Sequence, residues 1–344
     1  MAQSIRQDPI LTVAASGSPS EIGHAQGEAL RERIAATIEI YRHVFEKSED
    51  FIKTRASLFE KRIRAFGPDL AEEIDAMAEA AGQPSHWLYA LNARSEFLAD
   101  DIHTALPECT ALYDPTTCVL AQTWDWIDRL EPLFFVLDVT RPNGHRLLTV
   151  TEPGIVGKIG LNAAGVGVCL NFLSFEAALD GVPIHVVLRA MLEARTLKEA
   201  RLRADAAGAG KAANMLVGAA DGQYFDLEFA GAEVWDAPLT QDRPFVHTNH
   251  YLSHAIPAGF VRENSQARFD RASDLARSPV GVSEAAALLS DRDGSQNAIC
   301  SGYLPYLFNA KVGTVCTCLM DLKARELHVR PGPNPEGIFE RFAL

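Results

Sequence analysis

Basic residues are in short supply in this chain. Lys and Arg total 32 against 45 Asp and Glu, which gives a net charge of −13. Proteins that bind nucleic acid or an anionic membrane need a basic surface to neutralise phosphate groups. The balance therefore argues against nucleic acid or membrane as the main partner. It still allows a small anionic substrate held by one or two local arginines.

Cysteine is also scarce, and its spacing forms no C-x-x-C pair. The six cysteines are Cys109, Cys118, Cys169, Cys300, Cys316 and Cys318. This pattern indicates neither a zinc ribbon nor a disulfide framework, so we predict reduced thiols in a reducing compartment. No apolar run approaches the length of a membrane span, and the run 10–15 is too short for a signal-peptide core. We expect a cytoplasmic protein.

The first third of the chain has helical patterning. Ser18, Pro19 and Glu21 form the signature of a capping box with proline at the first helical position. Apolar residues then recur every three or four positions, as on one buried helix face, at Ile34, Ile38, Tyr41 and Phe45. The pattern continues, with breaks at Gly and Pro, to about residue 100.

From Cys109 onward, short apolar runs separated by turn residues predict strands. The predicted hairpins pair 134–140 with 145–151, 155–162 with 166–172, 215–220 with 224–230, and the two halves of 314–331. Helices are predicted at 183–207 and 265–290. Strand-rich sequence with helices in separate blocks predicts an α+β domain, in which two antiparallel sheets lie between helices. Because no linker is visible, we predict a single domain over 1–344.

Cys109 is the first candidate for a catalytic residue. It begins a short, mostly apolar segment that is followed by a turn at 114–117. A second apolar segment follows the turn and ends near Asp125. A hairpin would fold the thiol and the carboxylate together, as a nucleophile with an orienting group requires. Taken alone, a single cysteine is more often a small core residue.

Short motifs occur in a fixed order along the chain. They are Gly23 to Glu28 with Leu30-Arg31, then Glu108-Cys109-Thr110, Gln122 to Trp126, Gly160 to Val168 with Asn171, Thr248 to Tyr251, Ser265 with Arg268 and Arg271, and Met320-Asp321-Leu322. In order and spacing the chain resembles the penicillin acyltransferase (isopenicillin N acyltransferase-like) family of N-terminal nucleophile (Ntn) hydrolases, peptidase family C45. The resemblance implies the four-layer αββα sandwich of Ntn hydrolases.

The resemblance also implies self-cleavage between Glu108 and Cys109. The products would be a small chain 1–108 and a large chain 109–344. Cys109 would then supply both a thiol nucleophile and a free α-amine, whose ordinary pKa of about 7.7–8.0 suits a general base near neutral pH. Thr110 is a candidate for assisting this cleavage, although its β-branched side chain is also typical of a strand.

Five further positions take roles from the family match. Asp125 would orient Cys109 or its ammonium group, and Asn249 would donate to the oxyanion. Asn171 would lie near the tetrahedral intermediate, while Gln122 and Arg268 would contact substrate. Each has a structural alternative: a turn cap for Asp125, an Asx turn for Asn249, strand pairing for Gln122, and a strand or salt-bridge role for the others.

The implied reaction cleaves or transfers an acyl group at an amide of a small molecule, through a thioester on Cys109. It requires no cofactor and no metal, and an acyl-coenzyme A is a possible donor. The processed two-chain unit could form a homo-oligomer. One departure from the family is Ser301, which stands where many members have a basic residue. A substrate acid would then have to be held by Arg268 or Lys311, or not at all.

Two other functions remain open from the sequence. His250 and His254 have the spacing of two zinc ligands on one helix face, and His247 could be a third, which would indicate a metal-dependent hydrolase. No Glu lies between them as in a metalloprotease. The third possibility is a binding protein of the same fold without catalytic activity.

Overall fold

The computed structural model describes residues 8–98, 109–175, 179–240, 243–253, 263–277, 279–294, 297–305 and 310–344. Glu108 and His254 lie outside these ranges. The helices in the described part are α1 (Pro19–Ala29), α2 (Arg31–Phe45), α3 (Glu49–Phe66), α4 (Pro68–Ala81), α5 (Ser85–Asn92), α6 (Arg94–Leu98), α7 (Ile184–Leu192), α8 (Leu197–Ala207), α9 (Glu263–Leu275) and α10 (Val282–Leu288).

The strands form two sheets. They are β1 (Thr12–Ser16), β2 (Thr110–Asp114), β3 (Val119–Ile127), β4 (Phe135–Thr140), β5 (Arg146–Thr151), β6 (Ile159–Asn162), β7 (Val166–Phe172), β8 (Lys211–Ala219), β9 (Tyr224–Gly231), β10 (Glu233–Asp236), β11 (Phe245–His247), β12 (Leu304–Pro305), β13 (Lys311–Asp321), β14 (Glu326–Pro331) and β15 (Glu340–Ala343).

The first sheet has the order β1-β4-β5-β6-β7-β8-β9-β10, and the second has β11-β2-β3-β13-β14-β15 with β12 beside β13. Neighbouring strands are antiparallel apart from β1 and β4, which run parallel. β2 and β3 of the second sheet face β7 of the first. Helices α7 and α8 pack on the outer face of the first sheet, and α9 and α10 on that of the second. The predicted four-layer α+β sandwich is confirmed.

The N-terminal helices begin where the sequence predicts. The Ser18 side chain accepts from the Glu21 amide and the Glu21 carboxylate accepts from the Ser18 amide, which completes the capping box of α1. Helix α1 then crosses α4 at very short range. A Cβ on Gly23 would lie 2.2 Å from the Glu73 carbonyl oxygen, and one on Gly27 would lie 2.5 Å from that of Met77. The glycines near the start of the chain are therefore explained by packing.

Two predicted helices are each divided in two. The predicted helix 183–207 ends at Leu192, and α8 starts after Thr196, whose side chain caps the Glu199 amide. The predicted helix 265–290 ends at Leu275, and α10 starts after Gly281. No helix in the described ranges is both long and apolar enough to cross a bilayer.

Candidate active site

Cys109 lies immediately before β2, on the hairpin that β2 forms with β3. The predicted pairing is confirmed, with Thr110 opposite Thr123 in an antiparallel register. Asp114 shapes the turn, because its side chain accepts from the Thr116 amide and its carbonyl accepts from the Cys118 amide. Cys118 takes a left-handed conformation with φ of 62° to complete the turn. Local turn chemistry thus brings Cys109 beside the residues that follow Thr123.

The Cys109 thiol and the Asp125 carboxyl group share a buried environment. Burial raises the pKa of the thiol, and the nearby Asp125 carboxylate raises it further, while the Asp125 backbone N–H opposes this. Burial also raises the pKa of Asp125 to about 7, although Arg268 and the hydroxyls of Thr314 and Thr123 oppose the shift. Neither Asp125 carboxyl oxygen has a hydrogen bond of normal geometry among the described residues. Asp125 is therefore suited to accept a proton near neutral pH.

Arg268 organises the backbone around Cys109. It is buried on α9, and its Nη1 donates to the Cys109 carbonyl oxygen at 2.8 Å and to Thr110 Oγ1 at 3.1 Å. Its Nη2 donates to Asn249 Oδ1 at 3.0 Å and to Asn264 Oδ1 at 3.1 Å. Asp125 stabilises the guanidinium charge, yet burial lowers the pKa of Arg268 to about 10. These contacts hold the start of β2 and the Asn249 amide in one arrangement.

The two predicted asparagines lie on either side of this arrangement. Asn171, on β7, donates from Nδ2 to the Cys109 carbonyl oxygen at 3.0 Å. Asn249 follows β11 and donates from Nδ2 to the Phe172 carbonyl oxygen at 2.9 Å. Because Arg268 binds Asn249 Oδ1, the Asn249 amide cannot flip without losing that bond. One Nδ2–H of Asn249 remains to serve as a donor.

Gln122 lies between the two sheets, fully buried. Its side chain accepts from the Leu170 amide at 3.0 Å and donates to the Leu170 carbonyl oxygen. Gln122 thus ties β3 to β7 across the sandwich. Its effect on the site passes through Leu170, which lines the cavity beside Cys109.

A small cavity opens beside Cys109, with a volume of about 50 Å³. Cys109 and Asp125 form part of its wall, and the rest includes both tryptophans that flank Asp125. Two buried cations, Arg94 and Lys158, also line it. The sequence reading missed this pair. In the sequence, the one indication of a buried cation was Arg94, a basic residue within a mostly apolar helical segment.

His247 holds the loop that carries Asn249. Its Nδ1 lies 2.7 Å from the Thr248 carbonyl oxygen and its Nε2 lies 2.7 Å from Glu228 Oε1. Both neighbours are acceptors, so the ring donates from both nitrogens as an imidazolium. Asp226 and Glu228 raise the pKa of His247 against the effect of burial. Glu228 also accepts from the Leu252 amide, on the far side of Asn249.

Of the three histidines considered as metal ligands, His254 lies outside the described residues, and only His247 and His250 can be compared. Among the described residues, the one group able to hold a metal is Asp226, Glu228 and His247, which does not contain His250. His250 instead places Nδ1 2.9 Å from Ser265 Oγ, and its pKa falls to about 4 because of burial and nearby cations. His247 and Glu228 are already in direct hydrogen-bond contact.

The remaining basic candidates lie away from the nucleophile or are already engaged. Arg271 has a side chain 37% exposed and pairs with Asp291. Lys311 is exposed at the start of β13. Ser301 is buried and donates its amide to Thr314 Oγ1 at 2.9 Å. A substrate acid at this site would therefore be bound by other residues.

Sequence comparison assigns the family. The model of the family described as acyl-coenzyme A:6-aminopenicillanic acid acyl-transferase matches residues 113–335. The chain belongs to this family. It is 30% identical over 346 residues to the acyl-coenzyme A:6-aminopenicillanic-acid-acyltransferase 40 kDa form of Emericella nidulans, covering 96% of this chain and 95% of that protein. The predicted relationship to penicillin acyltransferases is confirmed.

Solved structures with partial similarity include three hydrolases. A Caenorhabditis elegans N-acylethanolamine-hydrolyzing acid amidase ortholog has a TM-score of 0.45 at 14% identity, covering 63% of this chain and 93% of that one. A mutant of the conjugated bile acid hydrolase of Clostridium perfringens has a TM-score of 0.43 at 12% identity, covering 69% of this chain and 92% of that one. Penicillin V acylase of Agrobacterium tumefaciens has a TM-score of 0.40 at 14% identity, covering 67% of this chain and 85% of that one.

Proposed function

We propose that this member of the acyltransferase family is a self-processed cysteine amidohydrolase or acyltransferase. The observation that carries the proposal is the position of Cys109, whose thiol shares a buried cavity with the Asp125 carboxyl group. Arg268 and Asn171 bind the carbonyl group of the same residue. A cysteine that served only as core packing would need neither the paired carboxyl group nor these two donors.

In the proposed processing step, the Cys109 thiol loses its proton to Asp125 and attacks the Glu108 carbonyl carbon. The Glu108–Cys109 amide bond breaks, its nitrogen takes up a proton, and a thioester joins Glu108 to Sγ. Water then hydrolyses the thioester, leaving the Glu108 carboxylate, a free thiol and a new α-amine on Cys109. The pKa of about 7 at Asp125 supports its role as the base, because an ordinary carboxylate is too weak to take a thiol proton.

In turnover, the α-amine of Cys109 replaces Asp125 as the base, and the thiol attacks the substrate amide. Asn249 is proposed to donate Nδ2–H to the developing oxyanion, a contribution of about 2.7–4 kcal/mol to lowering the barrier. Release of the amine leaves an acyl group on Sγ. Water then completes hydrolysis, or a second amine completes acyl transfer.

The proposed substrate is a small N-acyl amide, with an acyl-coenzyme A as a possible alternative donor and no cofactor. The family name supports acyl transfer, and the small volume of the cavity beside Cys109 supports a small acyl group. None of the six cysteines, all of which are described, forms a disulfide, even where the sulfurs of Cys316 and Cys318 lie 3.7 Å apart, which supports a cytoplasmic location. Association of the two-chain unit into a homo-oligomer is part of the same proposal.

Intact mass spectrometry of freshly purified protein tests the proposal. We expect fragments 1–108 and 109–344 that co-purify, and a full-length chain for Cys109→Ala. Cys118→Ala is the matched control, since Cys118 is a buried thiol on the same hairpin and should be cleaved normally. A wild-type chain that stays uncut and does not react with iodoacetamide at Cys109 would favour a binding protein. A Cys109→Ala chain cut at the same bond would contradict self-cleavage.

A further inference from the structure

The cavity beside Cys109 contains more positive than negative charge away from the nucleophile. Arg94, at the start of α6, and Lys158, just before β6, are both more than nine-tenths buried. They share a single carboxylate. Arg94 Nε and Nη2 lie 3.0 Å and 2.9 Å from Glu152 Oε1, and Lys158 Nζ lies 3.3 Å from the same oxygen.

Both oxygens of Glu152 are already engaged. Its second oxygen, Oε2, accepts from the Tyr41 hydroxyl at 2.6 Å. Three donor nitrogens therefore converge on one oxygen. Mutual repulsion follows, because Arg94 adds to the effect of burial in lowering the pKa of Lys158 to about 7. A buried pair of cations with one shared anion has capacity for a second anion.

Both cations also retain unused donors. Arg94 Nη1 has no hydrogen-bond partner among the described residues. Lys158 Nζ makes one long hydrogen bond and otherwise lies over the Trp124 ring, 3.2 Å from its centroid. Arg94 lies over the other flanking tryptophan, Trp126, at 5.1 Å. The tryptophans support the cations from the apolar side and leave their remaining N–H groups for a ligand.

The rest of the cavity wall is apolar except for Ser95. Leu98, Leu170, Phe172 and Ile184 complete it. In the proposed reaction the acyl group stays bonded to Cys109 Sγ while the amine leaves and an acceptor enters. Because Cys109 itself lines this cavity, the cavity suits the part that stays bonded to Sγ.

From these observations we propose that Arg94 and Lys158 bind a carboxylate at the far end of the acyl group. The preferred substrates are then amides of a short dicarboxylic acid, in which one carboxyl group forms the amide and the other remains free. This inference rests on the proposed function and names its substrate class. It also assigns the cavity to the acyl side of the scissile bond.

The test compares two acyl groups of nearly equal size on the same amine. These are succinyl, which ends in a carboxylate, and 4-methylpentanoyl, which ends in an isopropyl group. We expect kcat/KM of the processed enzyme to favour succinyl by about 10-fold or more, since a hydrogen bond to a charged group contributes about 1.5–3 kcal/mol. A wild-type preference for 4-methylpentanoyl would overturn the proposal.

Two variants separate charge recognition from structure. Lys158→Met should reduce the succinyl preference about 10-fold, since Glu152 then neutralises Arg94. Adding Glu152→Gln to Lys158→Met frees Arg94 and should restore part of the preference. Lys211→Met is the matched control, because Lys211 is equally buried but does not line the cavity. It should leave the ratio unchanged. An unchanged ratio in both Lys158 variants would contradict carboxylate binding.

Further arms distinguish the remaining outcomes. N-(4-methylpentanoyl)-β-alanine tests a carboxylate on the amine side, and a preference confined to that substrate would overturn the assignment to the acyl group.

If no amide is turned over, the proposed function fails, and thermal shift still tests the site. Succinate should then raise the Tm of the wild-type protein more than 4-methylpentanoate does, and lose that advantage in Lys158→Met. Equal shifts would overturn the inference.

Discussion

The Asn249 side chain gives the most discriminating prediction about catalysis. Replacing it with Ala removes two hydrogen bonds of the folded protein, from Nδ2 to the Phe172 carbonyl oxygen at 2.9 Å and from Arg268 Nη2 to Oδ1 at 3.0 Å. It also removes the proposed oxyanion donor. The structural and the catalytic consequences can be estimated separately.

The structural cost is moderate because Arg268 keeps other partners. Its Nη2 still donates to Asn264 Oδ1 and its Nη1 to the Cys109 carbonyl oxygen. Leaving a buried group with one fewer partner costs about 1–3 kcal/mol of stability. The catalytic cost appears in the rate, because loss of one oxyanion donor lowers kcat by about 10²–10³-fold. KM should change less than kcat, because the interaction forms in the transition state.

Two companion variants separate these costs. Asn249→Asp keeps an oxygen for Arg268 but loses the Nδ2 donor, so kcat should fall at least as far as in Asn249→Ala. Its Tm should fall as well, because a carboxylate oxygen would face the Phe172 carbonyl oxygen. Asn264→Ala removes a different Arg268 partner and should lose stability while keeping kcat within a few fold. Steady-state kinetics on processed enzyme, with melting curves on the same samples, provide both readouts.

One result would refute this reasoning. If Asn249→Ala folds, is processed and retains wild-type kcat, Asn249 is not the oxyanion donor, and Asn171 becomes the candidate to test. Equal losses of kcat in Asn249→Ala and Asn264→Ala would likewise contradict it. The shared effect would then come from misplacement of Arg268.

Three further predictions concern pH and packing. For unprocessed chain made in a cell-free system, the cleavage rate should rise with pH through about 7, where Asp125 loses its proton, and Asp125→Asn should be slow and lack this rise; an unchanged profile would make Asp125 a structural residue. His247 has a raised pKa, so its contribution to stability is complete below its ordinary pKa of about 6.5 and is lost as pH rises through the folded value. Melting curves should show this alkaline loss in the wild type and not in His247→Gln; the same loss in both would contradict the imidazolium assignment. Gly23→Ala should cost about 1–3 kcal/mol in denaturant unfolding, since its Cβ would meet a backbone oxygen at 2.2 Å, whereas Gly67→Ala, with its nearest contact at 3.7 Å, is the control and should cost little.

The sequence predicted those parts of the site that depend on local chemistry. The hairpin joining Cys109 to Asp125 follows from a turn rich in Asp, Pro and Thr between two apolar runs, and the β2–β3 register bears it out. The α+β class followed in the same way from the change of periodicity near residue 105. The breaks near Thr196 and Gly281 were missed because the helical period continues across them, and only capping residues mark the ends.

The charged part of the cavity could not be predicted in this way. Glu152 and Lys158 lie in the connection between β5 and β6, but Arg94 comes from α6 and meets them only when the helices pack on the sheet. In sequence each resembles an ordinary surface charge, because its burial depends on tertiary contacts. The bonds of Arg268 to Cys109 and Asn249 are equally nonlocal, which left its role open between substrate contact and salt bridge.

The parallel pairing of β1 with β4 has a consequence for the refolding of the proposed two-chain form. β1 belongs to the predicted small chain, yet it forms the edge of a sheet whose other strands belong to the large chain. In the proposed two-chain form, folding is an association of two molecules rather than a reaction within one, so denatured enzyme should refold more slowly at lower concentration. The uncut precursor should refold at a rate that does not depend on concentration. Persistence of the mature enzyme would then be governed by its unfolding rate rather than by an equilibrium.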